Sequence, residues 1–68
     1  MRKDLKFRCH AVPAGAIGLY TVGKVYDGYE GWWDAETGET CIRIYTNFGK
    51  YHSFRDNNWN KYFEEILN

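Results

Sequence analysis

The strongest constraint on this chain is a two-residue rhythm that repeatedly stops at glycine. Residues 5 to 12, Leu-Lys-Phe-Arg-Cys-His-Ala-Val, place Leu5, Phe7, Cys9 and Ala11 on one side and Lys6, Arg8 and His10 on the other, the pattern of a half-buried strand. The small-residue stretch from Pro13 to Gly18 ends it, because proline and glycine supply turn conformations that larger residues resist. A second strand is expected from about Lys24, entered at Gly23, rich in β-branched and aromatic residues and broken or bulged at Gly28. Residues 34 to 40, Asp-Ala-Glu-Thr-Gly-Glu-Thr, have the make-up of a hairpin loop. The third strand, residues 41 to 46, sets Ile42, Ile44 and Thr46 against Cys41, Arg43 and Tyr45. Asn47, Phe48 and Gly49 turn the chain into a fourth strand over residues 50 to 54.

The last stretch changes character. Asp56 or Asn57 is placed to cap a short helical turn that carries Trp59, Tyr62 and Phe63 at roughly helical spacing. Whether residues 56 to 67 stay helical or return to a closing strand is open at this level. Short strands at such close spacing favour an all-β fold closed, or nearly closed, into a barrel of five short strands, which also disposes of exposed sheet edges. The alternative is a three- or four-stranded sheet with residues 56 to 67 packed across it as a helix. With 68 residues the chain holds one domain at most, residues 1 to 68, since a chain of this size buries only about 60% of its unfolded surface.

Composition narrows the functional classes. Nine Lys and Arg offset nine Asp and Glu, which removes a bulk electrostatic case for DNA or anionic lipid. The longest uncharged run, Ala11 to Gly23, is short and broken by Pro13, Gly15 and Gly18, so no membrane span is expected. Lys6, Arg8 and His10 interrupt any apolar run behind Arg2 and Lys3, and no secretion signal is expected. Cys9 and Cys41 are then expected as free thiols in a reducing cytosol. No CxxC or HxxxH spacing links Cys9, His10, Cys41 and His52, and Cys9 lies on the apolar side of its strand. Glu64 and Glu65 are consecutive, so on a strand they point apart and make poor acid-base partners. Neither an enzyme, a metal site nor a cofactor is expected.

The segment Tyr20-Thr-Val-Gly-Lys-Val-Tyr-Asp-Gly28 resembles the Leu-Thr-x-Gly-Lys-x-Tyr entry of short SH3-like barrel proteins encoded by tailed bacteriophages and prophages. Ile44 to Gly49 stands where those proteins carry an apolar strand, a polar turn and glycine, and Tyr62-Phe63-Glu64 is similar to their aromatic-acidic closing strand. The similarity spans about residues 5 to 66. The chain departs from the pattern at Asn47-Phe48-Gly49, where two acids are usual, and in the tryptophan-containing segment 29 to 39. The resemblance implies a five-stranded SH3-like barrel in the cytoplasm of an infected or lysogenic bacterium. It also implies a group that includes products able to bind and modulate host proteins.

Charge is unevenly spread: plus four over residues 1 to 26, minus five over 27 to 39, plus three over 40 to 61 and minus two over 62 to 68. The acidic block sits on an aromatic hairpin. Trp32 and Trp33 are adjacent, so on a regular strand one of them faces away from the core; a bulge at Gly31 would instead let both rings cap an open barrel end. Exposed Trp and Tyr anchor protein interfaces, and the expected contact set for a host bacterial protein is Tyr29, Glu30, Trp32, Trp33, Asp34, Glu36 and Glu39. The same acids also serve as a solvated, solubilising loop, and an exposed tryptophan patch suits a homo-oligomer as well. Trp59 is expected to cover the barrel bottom. Nucleic acid is the alternative partner, held by Lys6, Arg8 and Arg43 with His10, Tyr45 and Tyr51 nearby, since bases stack on aromatics while cations track phosphates. Tyr26, Tyr45, Tyr51 and Trp32 could also line a groove for a proline-rich peptide.

Overall fold

A computed structural model of the protein describes residues 2–67. Five strands, β1 (Leu5–Cys9), β2 (Val25–Asp34), β3 (Glu39–Tyr45), β4 (Tyr51–Arg55) and β5 (Phe63–Glu65), form one antiparallel sheet in the order β4-β3-β2-β1-β5. The all-β expectation is met, and residues 56 to 67 divide between the two readings: a 3-10 turn at Asn58–Lys61, then the closing strand β5. Asn57 precedes that turn without a side-chain capping bond, and Asp56 takes a positive φ of 53°. Among the described residues β4 and β5 are not paired, so hydrogen bonding does not close the sheet into a barrel. Three residues of β5 are spent on β1, where Cys9 meets Phe63, Arg8 meets Glu64 and Phe7 meets Glu65.

The alternation along β1 is kept: Leu5, Phe7 and Cys9 are buried, while Lys6 and Arg8 are exposed. Ile42 and Ile44 of β3, Phe54 of β4 and Phe63 of β5 join them, together with Tyr20 and Tyr26. Strand β2 departs from expectation, because it runs unbroken through Gly28. The reason is steric. A Cβ at Gly28 would lie 2.6 Å from the carbonyl oxygen of Arg43 and 2.8 Å from the Phe7 ring, so glycine lets β3 and Phe7 close onto the strand without bending it. The irregularity falls later: Trp32 pairs with Thr40 and Asp34 with Glu39, leaving Trp33 as the extra residue of a bulge.

The core is filled by aromatic rings meeting edge to face. Phe7 approaches Trp59 at 5.2 Å and Phe63 at 6.4 Å between ring centroids, and Tyr20 approaches Phe63 at 4.9 Å and Tyr26 at 5.0 Å. This geometry suits ring quadrupoles and adds to simple area burial. Trp59 packs against this cluster, in line with its expected structural role. Tyr20 reaches the core from the β1–β2 connection, and its hydroxyl donates to the Ile44 carbonyl at 2.7 Å. Cys9 and Cys41 are both free and buried. No helix among the described residues is long and apolar enough to cross a membrane.

Asn47, at the departure from the family-like pattern, knits three segments together. Its Oδ1 accepts from the Tyr26 hydroxyl at 2.7 Å and from Lys24 at 3.2 Å, its side-chain amide donates to Gly18 and Thr21, and its backbone N–H donates to Leu19. An aspartate there would lack the amide donor. The asparagine joins the β1–β2 connection to the β3–β4 turn.

Candidate functional site

Strand pairing decides which side chains share the outer face of the sheet. Tyr29 lies opposite Arg43 across β2 and β3, Arg43 opposite Ser53 and Tyr45 opposite Tyr51 across β3 and β4. Since side chains alternate, these residues stand on the face away from the core. The Arg43 guanidinium sits 5.0 Å from the Tyr51 ring centroid and 5.6 Å from that of Tyr29, within cation–π range. It donates to the Trp32 carbonyl at 3.1 Å and, more loosely, to the Tyr29 hydroxyl at 3.4 Å. That tyrosine contact, chief among its surroundings, raises the pKa of a guanidinium already protonated at any physiological pH. The side chain lies across Gly31, where a Cβ would come within 2.8 Å of its Nη1. Its Nε is buried and has no hydrogen-bond partner.

Arg43 differs from the other three arginines. Arg2 pairs with Glu65, Arg55 with Glu39 at 2.6 Å and Arg8 with Glu64 at 3.8 Å; among the described residues Arg43 has no carboxylate partner. It borders a groove of about 690 Å³, with Tyr29 and Tyr45 supplying aromatic surface, Trp32 its backbone carbonyl, and Lys3, Asp4, Lys6, Asp27 and Glu30 supplying charge. Lys6 is paired with Asp27.

The expected contact residues of the β2–β3 hairpin occupy distinct settings. Both tryptophans are half exposed, Trp32 at 49% and Trp33 at 47%, which corrects the expectation that a single one faces solvent; the bulge puts both at the end of β2, beyond the core. Arg55 lies over the Trp33 ring at 4.9 Å. The acidic block is also less bare than its sequence suggests. Glu39 pairs with Arg55, Asp27 with Lys6, and Glu30 accepts from the backbone N–H of Arg2. Asp34 accepts from the backbone N–H of Glu36 in the hairpin turn. Asp34, Glu36 and Glu30 are the acids of this block that form no ion pair with a basic side chain among the described residues, and Glu30 is the one of them that reaches a backbone N–H of a distant segment.

Of the residues considered for nucleic acid, Lys6, Arg8 and Arg43 share the outer face, but Lys6 and Arg8 each face a carboxylate. Tyr26 of the suggested peptide groove is buried on the opposite face, apart from Tyr45 and Tyr51. Burial pushes the Cys9 thiol pKa up, the reverse of what a nucleophilic cysteine needs. Sequence reasoning missed Lys3 beside the groove and Gly31 beneath Arg43; two glycines three residues apart in one strand were the available signal. Comparison with protein-family models, with curated proteins and with solved structures finds no match to this chain.

Proposed function

We propose that this protein is a small SH3-like barrel that works by binding another protein, without catalysis, through the outer face and tip of its β2–β3 hairpin. Three features support the SH3-like reading: the strand order, the long β1–β2 connection and the 3-10 turn ahead of the last strand. With the resemblance to phage-encoded proteins, it makes the partner a bacterial host protein that is modulated or inhibited in the cytoplasm. The observation that carries the binding role is the pair of half-exposed tryptophans at one bulge, beside Asp34 and Glu36. Large aromatics left in water at adjacent positions contribute little to folding and much to an interface. Asp34 and Glu36, which form no ion pair among the described residues, add register and speed of encounter with a basic partner surface.

The test is affinity capture from nuclease-treated bacterial lysate with the wild-type chain, a Trp32→Ala/Trp33→Ala variant and an Asp34→Lys/Glu36→Lys variant. A specific partner is expected whose affinity falls about 30-fold or more for the tryptophan variant, the scale of an interface hot spot, and less for the charge reversal. Equal affinity for all three chains overturns the hairpin assignment.

A further inference from the structure

We infer that the groove beside Arg43 is a seat for an acidic residue of an extended peptide segment, its carboxylate held by Arg43 and the neighbouring apolar side chains laid on Tyr29 and Tyr45. This deepens the protein-binding reading above and rests on it. The first support is the charge inventory. Arg2, Arg8 and Arg55 each pair with a glutamate of this chain, whereas among the described residues Arg43 has no carboxylate partner. The second is that Arg43 is held in place without being satisfied. Two ring faces and the Trp32 carbonyl fix its plane, yet only two of its five N–H donors are engaged and its Nε is buried without an acceptor. A guanidinium ordered by stacking loses little further freedom when a carboxylate docks on its fork. The third is space: about 690 Å³ falls inside the ~300–1,000 Å³ typical of ligand sites.

The surrounding charges select among anions. Lys3 and Lys6 stand with Asp4, Asp27 and Glu30 around the same groove, so together with Arg43 the lining charges sum to zero and the groove is not a basic track. One carboxylate gains from that arrangement, whereas a run of phosphates would meet three acids, and the counterion release that drives polyanion binding would be small. Gly31 belongs to the device, because a side chain there would displace the guanidinium.

The experiment is an NMR titration of the full ¹⁵N-labelled chain with the capped tripeptide acetyl-Phe-Glu-Phe-amide, its Gln counterpart and the oligonucleotide dT15. The Glu peptide is expected to move the Arg43 Nε–H and Gly31 backbone N–H resonances saturably. The Gln peptide should bind at least tenfold more weakly, and dT15 should leave both signals in place. Arg43→Gln is expected to abolish the response while keeping a dispersed amide spectrum; if that variant does not fold, the Glu and Gln peptides on the wild-type chain decide the matter. No saturable shift, equal binding of the two peptides, or a stronger response to dT15 overturns the inference. A captured protein partner that is lost with the hairpin variants while the Glu peptide gives no response removes the groove and leaves the hairpin; a peptide response beside an unaffected partner does the reverse.

Discussion

The two faces of this sheet are built from the same kinds of residue and put them to opposite uses. On the inner face Phe7, Tyr20, Tyr26, Phe54 and Phe63 meet one another edge to face and are almost wholly out of water. On the outer face Tyr29 and Tyr51 flank the Arg43 guanidinium and Tyr45 packs against Tyr29, with Tyr45 36% and Tyr51 50% exposed. The inner tyrosine hydroxyls are spent on internal acceptors, Tyr20 on the Ile44 carbonyl and Tyr26 on Asn47. Aromatic content in a chain this small is therefore no guide to core size. What matters is whether the rest of the chain covers the rings: the outer tyrosines also meet one another, yet nothing among the described residues closes over them and they stay in water.

Two glycines of β2 put that contrast to its hardest test. Gly28 lies under Phe7 and the backbone of Arg43, so Gly28→Ala forces a rigid ring and a strand carbonyl apart. A loss of about 3 kcal/mol is expected, enough to unfold much of a domain this small, and urea denaturation followed by circular dichroism would read it. A variant as stable as the wild type would mean that the inner face is loosely packed.

Tyr20→Phe is expected to cost about 1–2 kcal/mol at neutral pH, because it leaves the Ile44 carbonyl without its donor. The same variant isolates a pH effect. Burial, with smaller contributions from Tyr26 and Cys9, raises the Tyr20 pKa far above its ordinary value of 10.0. Above pH 10 the unfolded chain therefore releases a proton that the folded chain keeps, and wild-type stability falls by up to about 1.4 kcal/mol per pH unit from this residue. Below that pH the contribution is fully present. In Tyr20→Phe this part of the alkaline slope should vanish, leaving a weaker one from Cys9, whose thiol is raised for the same reason. An unchanged slope would place the Tyr20 ring in water.

Gly31→Ala is the outer-face counterpart and should be the mildest. Its Cβ would meet the end of the Arg43 side chain, which can swing away, so stability should change by about 0.5 kcal/mol or less. Loss of the ordered Arg43 Nε–H signal by NMR, with the melting curve in place, is the expected reading. A destabilisation matching that of Gly28→Ala would erase the distinction between the faces.

Much of this was legible before any coordinates. The alternation of Leu5, Phe7 and Cys9 with Lys6 and Arg8 matches the buried and exposed sides of β1, and that of Ile42, Ile44 and Thr46 with Arg43 and Tyr45 holds in β3, but Cys41, expected beside Arg43 and Tyr45, is buried. The hairpin loop after Asp34 and the turn at Asn47 also lie where expected. The bulge was harder to place. Gly28 and Gly31 are equal candidates in the sequence, and the irregularity lies at Trp33 because the pairing of Asp34 with Glu39 sets the count of residues around the turn. The acidic block misled for a related reason: the bases that meet it, Arg2, Lys6 and Arg55, come from other segments.

By itself, then, the sequence determined the strand-forming segments, the face each side chain takes and the turns between them, because these follow from spacing along the chain and from local backbone preference. Only the tertiary structure decided which acids are neutralised, that both tryptophans are half exposed and that Arg43 has no carboxylate partner among the described residues. The ion pairs join residues 16 to 63 positions apart, and strand register, which brings such residues within a few ångströms, is set by the whole sheet at once.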